Sequence, residues 1–124
     1  MTHRITVPIL LGLLLACTPA LWAHAKLLRS EPPAGAVVNI PPRAVRAWFN
    51  DELDPARSLL SVWDAGGRRV DDRHGGVDLD DLDRRSMAAR LRVIGNGIYT
   101  VRWRAVSADD GFVTEGSFKF TVRR

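Results

Sequence analysis

One loop near the end of the sequence places two neighbouring carboxylates between two strand-like segments. The loop is Ser107-Ala108-Asp109-Asp110-Gly111-Phe112, and residues 99–105 and 118–122 on either side alternate strictly between apolar and polar side chains. Period-two alternation is typical of strands with one buried and one solvated face. Gly111 permits a backbone angle that is closed to other residues. The loop therefore presents carboxylates at one end of a strand pair, either as ligands or simply as an Asp-Gly turn.

A second acidic group lies in the middle of the chain. It consists of Asp78, Asp80, Asp81 and Asp83. The run lacks the glycine and the terminal glutamate of an EF-hand calcium loop. We therefore interpret it as a solvated face, and the whole segment 71–85, which is rich in aspartate and arginine, as a solvated loop.

Sulfur ligands and catalytic groups are scarce. Cys17 is the single cysteine, and Met87 is the only methionine after the first residue. This composition excludes a thiolate metal site and a thioether-rich metal site from the domain. The sequence also contains no Ser-His-Asp or Cys-His constellation and no phosphate-cradling loop, so it predicts a protein that is not an enzyme.

The first 23 residues resemble an export signal. Arg4 precedes an apolar run at 5–16 that is too short to span a bilayer, and Ala23 is an acceptable cleavage position. We predict a signal peptide at 1–23 and one exported domain at 24–124. Cleavage after Ala25 would remove His24, and lipidation at Cys17 would tether the domain to a membrane; both remain open.

Charge gives little indication of a nucleic-acid partner. The 18 Lys and Arg residues exceed the 14 Asp and Glu residues by four, and they are spread along the predicted strands. A nucleic-acid surface requires clustered basic residues with stacking aromatic rings. We therefore expect no nucleic acid among the partners.

Short alternating segments separated by Gly and Pro turns occupy the rest of the chain. Beyond the last strand pair they lie at 25–30, 44–50, 59–63 and 87–93, and none has helical spacing over a helical length. Six or seven such strands predict an all-β fold, a Greek-key, immunoglobulin-like β-sandwich.

These segments together resemble the CopC-type periplasmic copper-binding proteins of bacterial copper resistance. The resemblance is carried by His24-Ala25-Lys26-Leu27, Ser30-Glu31-Pro32-Pro33-Ala34-Gly35, Val45-Arg46-Ala47-Trp48-Phe49-Asn50, and residues 99–107 and 116–120. It implies a seven-stranded Greek-key sandwich that binds Cu(II) at one end. The family's ligands are the amino-terminal histidine, an aspartate in the loop before the last strand, and a histidine two residues after that aspartate.

Two of those three ligand positions match here. His24 and Asp110 correspond to the first two, but Phe112 occupies the third and has no donor atom. An amino-terminal histidine chelates through its α-amine and a ring nitrogen, and Cu(II) favours a tetragonal set of nitrogen and oxygen donors. His74 in the long loop is a further candidate ligand. The resemblance thus implies one Cu(II) per chain, bound more weakly than in the family.

Three functions compete on this basis. The first is a periplasmic protein that binds or carries Cu(II) through His24 and Asp110. The second is a metal-free domain that assists a membrane copper transporter of the CopD type. The third is a polysaccharide monooxygenase, because an amino-terminal histidine on such a sandwich also looks like a copper brace. That brace needs a second fixed histidine, and only His74 is available, so we expect no oligosaccharide substrate.

Overall fold

The computed structural model describes residues 24–124, which form two four-stranded β-sheets with no helix. The predicted signal peptide at 1–23 and the alternative lipidation site at Cys17 lie outside the described residues. Within residues 24–124, there is no helix that could cross a membrane.

Eight strands make up the two sheets. They are β1 (Leu27–Glu31), β2 (Val37–Val38), β3 (Ala44–Phe49), β4 (Leu59–Trp63), β5 (Gly76–Val77), β6 (Ser86–Arg90), β7 (Gly97–Val106) and β8 (Val113–Val122). The first sheet has the order β1-β3-β6-β5 and the second β2-β8-β7-β4. All neighbours are antiparallel except β2 and β8, which run parallel.

The core lies between the sheets and is built from the alternating residues that the sequence singled out. On β3, Val45, Ala47 and Phe49 are buried, and on β8 the buried side chains are Phe118, Phe120 and Val122. This confirms the predicted inward faces of both strands. Met87 on β6 is fully buried, so its thioether is enclosed by the core and cannot reach a solvent-exposed site.

The all-β prediction is confirmed, although the strand count is eight instead of about seven. The additional strands are the two-residue β2 and β5, which are too short to show alternation. The prediction that segment 71–85 is a solvated loop is wrong in part, because it contains β5 and the fully buried Asp71. The hydropathy of an aspartate gives no signal of burial, even though the hydrogen-bond partners of Asp71, which are Val62, Arg69 and Arg73, lie within nine residues along the chain.

The strand directions create two ends of the sandwich with different loops. One end, which we call the His24 end, holds the segment before β1, the β3–β4 loop at 50–58 and the β7–β8 loop at 107–112. The opposite end holds the β2–β3 loop, the β6–β7 loop and the residues after β8. The ten residues of β7 separate the two ends by about 30 Å.

Candidate metal centre

The segment that precedes β1 is fastened to both sheets. The hydroxyl of Thr114 on β8 donates a hydrogen bond to the carbonyl of Ala25 at 2.8 Å. The backbone of Lys26 pairs with Asn50, donating to the Asn50 side-chain oxygen at 2.8 Å and accepting from its backbone N–H at 3.1 Å. Ala25 itself is buried. These contacts fix the backbone next to His24, so the imidazole is held at this end of the sandwich.

The His24 ring stacks on Phe112. The ring centroids are 3.5 Å apart and the planes are inclined by 26°. Phe112 occupies the sequence position at which the family resemblance implies a ligand. The stacking brings this side chain into direct contact with the histidine. Phe112 is itself about half exposed, so it covers one face of the imidazole and remains in contact with solvent.

The Nδ1 atom of His24 is buried and has no hydrogen-bond partner among residues 24–124. An unsatisfied buried polar atom costs about 1–3 kcal/mol, and such an atom in a native structure calls for an explanation such as an ion, a water or a functional role. In the neutral tautomer that is protonated at Nε2, this Nδ1 has a lone pair, and neutral imidazole is the form that binds a metal ion. This is the strongest chemical signal at the His24 end.

Asp110 sits in a tight turn beside Phe112. Its carboxylate accepts a hydrogen bond from the Phe112 backbone N–H at 3.0 Å, and the Gly111 N–H bonds the Ser107 carbonyl at 2.9 Å. Gly111 has φ of +72°, the left-handed angle that the sequence predicted for this turn. The carboxylate is exposed and therefore accessible to an ion from solvent.

Beside the His24 ring lies an open depression of about 820 Å³. Its lining includes His24, Leu28, Asn50, Trp103 and Thr114. Trp103 reaches this position across the surface of β8 because its direct cross-strand neighbour is Gly116. A Cβ atom at Gly116 would collide with the indole ring of Trp103, so only glycine leaves room for it.

The sequence analysis assigned no role to Asn50 or Thr114, yet both hold the backbone beside His24. The pattern of apolar and polar residues gives no signal for these two contacts, because polar residues are common at the ends of strands. A third contact also escaped the sequence analysis, the hydrogen bond from the buried Ser107 hydroxyl to the Asp51 carboxylate at 2.8 Å. It joins the β7–β8 loop to the β3–β4 loop.

His74 lies elsewhere. It precedes β5, at the opposite edge of the first sheet from β1, so three inter-strand spacings of about 4.8 Å separate the two edges. Its backbone N–H donates to Asp72 at 3.0 Å. The structure thus brings His24 together with the loop that carries Asp110 and Phe112, but it does not bring His74 there.

The donors at the His24 end form a small set. Residues 24–124 contain no group of three or more His, Cys, Asp and Glu side chains arranged to hold a metal. What is present is one buried imidazole nitrogen without a partner among these residues, and the exposed carboxylates of the β7–β8 loop, of which Asp110 is two residues from the stacked phenylalanine. Such a set fits a metal ion only with additional donors, such as an α-amine or water.

Solved structures of copper proteins have the same fold. CopC from Methylosinus trichosporium OB3b superimposes with a TM-score of 0.71 at 29% identity, covering 80% of this chain and 93% of that one. PcoC from Escherichia coli, described as a methionine-rich copper resistance protein, gives a TM-score of 0.68 at 28% identity, covering 82% of this chain and all of PcoC.

Sequence relatives agree with this result. Protein YobA of Escherichia coli K12 is 29% identical over 107 residues, which are 86% of this chain and 84% of YobA. Copper transport protein CutJ of Bacillus subtilis is 27% identical over 102 residues, which are 82% of this chain but only 18% of CutJ. The model of the CopC domain matches residues 27–123. With almost every described residue inside that match, the chain belongs to the CopC domain family.

Proposed function

We propose that this protein is a periplasmic copper-binding protein that holds one Cu(II) ion at the His24 end of the sandwich. The observation that carries the proposal is the buried Nδ1 atom of His24, which has no hydrogen-bond partner within residues 24–124. The similarity to copper resistance proteins supports copper as the ion. Copper is here the cargo of the protein and not a catalytic cofactor.

The remaining donors follow from the position of His24 in the chain. Cleavage after Ala23 would free the α-amine of His24, and amine and imidazole would then chelate the ion together. Asp110 would supply an oxygen, and water would complete the tetragonal set that Cu(II) favours. Phe112 supplies no donor, so we propose that the affinity is lower than in relatives with a third protein ligand.

A copper titration of the mature protein tests the proposal directly. The amino terminus is first established by mass spectrometry, and Cu(II) is then added to the same material. We expect one Cu(II) per chain with a nitrogen-rich tetragonal spectrum, and we expect His24→Ala to abolish it. His74→Ala is the matched control, because it removes an imidazole from the opposite edge of the sheet.

A second variant separates the amine from the ring. A single alanine added before His24 keeps the imidazole but moves the free amine away from it. Loss of the tetragonal spectrum in this variant would support chelation by the α-amine. Tight binding that survives His24→Ala would instead refute the proposed site.

The alternative is a metal-free domain that assists a membrane copper transporter of the CopD type. Two observations favour it: Phe112 stacks on the histidine where a ligand is expected, and CutJ, a copper transport protein, contains a matching segment as 18% of its length. Binding of this chain to such a transporter without copper, together with no tight Cu(II) binding, would select the alternative.

We further propose a binding protein in place of an oxidative enzyme. A copper brace requires a second imidazole beside the first, and His74 lies at the opposite edge of the sheet. Oxidised oligosaccharides produced from chitin or cellulose in the presence of copper and reductant would overturn this view.

A further inference from the structure

The end of the sandwich opposite His24 carries a concentration of arginine. The exposed arginines there lie in the β2–β3 loop, at the end of β6, in the β6–β7 loop and after β8; they are Arg43, Arg90, Arg92, Arg123 and Arg124. We call this surface the arginine end. The sequence alone showed these residues as scattered, because they come from three separate parts of the chain.

A shallow depression of about 710 Å³ gathers most of these residues in one place. Its lining contains Arg43, Arg90, Arg92 and Arg124, and no acidic side chain among the described residues that form it. None of the four takes part in a salt bridge with another described residue. The lining of the depression therefore carries a net positive charge.

Two apolar side chains project from the same surface. Ile40 is 75% exposed and Val93 is completely exposed, and both line the depression together with Pro41 and Pro42. Other aliphatic side chains of the protein are also exposed, such as Leu82, but Ile40 and Val93 differ from them in lining a depression together with four arginines. Arginines next to exposed aliphatic side chains suit a surface that contacts both the charged headgroups and the upper acyl region of a bilayer.

From this juxtaposition we propose that the arginine end docks on an anionic phospholipid surface. The guanidinium groups would pair with lipid phosphates, and Ile40 and Val93 would enter the interface between them. The proposal does not depend on copper binding. Docking in this way would point β7 along the membrane normal. The His24 end, about 30 Å away, would then face the aqueous side.

Vesicle partitioning of the mature chain is the test. Vesicles of phosphatidylcholine that contain phosphatidylglycerol as the minority lipid are compared with vesicles of phosphatidylcholine alone. We expect partitioning into the anionic vesicles only, decreasing as salt is added because the headgroup attraction is screened. Each basic residue near an anionic surface contributes about 1 kcal/mol, so Arg90→Gln with Arg92→Gln should weaken partitioning about 25-fold.

A matched control removes the same charge elsewhere. Arg85→Gln with Arg104→Gln changes two exposed arginines that lie away from the arginine end, so it should have little effect. A second pair, Ile40→Ser with Val93→Ser, should reduce the binding that persists at high salt and leave the net charge unchanged. Thermal melts verify that each variant is folded, and Cu(II) titration should be the same for all of them.

Two outcomes would overturn the proposal. Equal losses in both arginine pairs would show that net charge, and not this surface, attracts the vesicles. Absence of partitioning by the unaltered chain into anionic vesicles would exclude lipid as the occupant and would leave an acidic protein surface as the partner of the arginine end.

Discussion

Two buried polar side chains in this sandwich have opposite surroundings. Asp71, close to the end of β6, is fully buried and accepts four hydrogen bonds: two from the Arg69 guanidinium, at 2.9 and 2.8 Å, and one from each backbone N–H of Val62 and Arg73, both at 2.7 Å. The buried Nδ1 atom of His24 has none from residues 24–124.

The difference separates a structural group from a candidate functional one. A buried ion with all its hydrogen bonds formed rigidifies the parts of the chain that it joins, here the end of β4 and the segment before β5. A buried donor or acceptor without a partner costs stability and persists where a ligand can satisfy it. The same physical rule therefore assigns Asp71 to the fold and makes His24 a candidate site residue.

Removal of the Asp71 charge should produce the largest loss of stability. Breaking a buried ion pair leaves the other partner uncompensated, so Asp71→Asn should lower the free energy of unfolding by about 3 kcal/mol. For a domain of this size that corresponds to a fall in Tm of at least about 10 °C. Asp72→Asn is the control, because Asp72 is exposed and its carboxylate accepts a hydrogen bond from only one group among residues 24–124, the His74 backbone N–H. Equal melting temperatures for the two variants would contradict the structural role of Asp71.

Acid should break the same network. Burial raises the pKa of Asp71, but the hydrogen bonds from Arg69, Val62 and Arg73 together outweigh it, so the net pKa lies below its usual range. A carboxyl with a depressed folded pKa adds stability above its unfolded pKa of about 3.9 and loses it as the pH falls through the folded value. Unfolding free energy measured from neutral pH downward should fall in this acidic range, and Asp71→Asn should fall less steeply. Parallel curves would show that other carboxyls dominate.

Phe112→His should supply the donor that the His24 end lacks. An imidazole in place of the stacked phenyl ring adds a third protein ligand, so we expect Cu(II) affinity to rise by more than about tenfold, or about 1.4 kcal/mol. Phe112→Leu keeps an apolar side chain without a donor and should show no such gain. Equal affinities of the two variants in a competition titration would show that position 112 does not limit binding.

The smallest effect on stability is expected for a more exposed Arg–Asp ion pair. Arg46 contacts Asp78 at 2.9 Å, but their side chains are 46% and 18% exposed. Arg46→Ala should therefore change the unfolding free energy by less than about 1 kcal/mol. A loss as large as that of Asp71→Asn, measured by chemical denaturation, would mean that burial is not what distinguishes the two ion pairs.

Alternation was a sufficient guide to the long strands. In β3, β7 and β8 one face is more buried than the other, and the period-two pattern at 45–49, 99–105 and 118–122 marks the inward side chains. The two-residue β2 and β5 carry no such signal, because pairing with β8 and β6 alone creates them. At position 93 the alternation was misleading. Val93 belongs to the alternating segment 87–93 in the sequence, but in the structure it is completely exposed beyond the end of β6.

The sequence by itself determined the all-β class, the inward faces of the long strands, the glycine turn at Gly111 and the absence of sulfur ligands, since each depends on residue type or local period. Tertiary structure decided the rest. It stacked Phe112 on His24, placed His74 at the opposite edge, enclosed Asp71 and assembled arginines from three segments into one surface. These outcomes depend on which distant strands become neighbours, and no local pattern of hydropathy or charge contains that information.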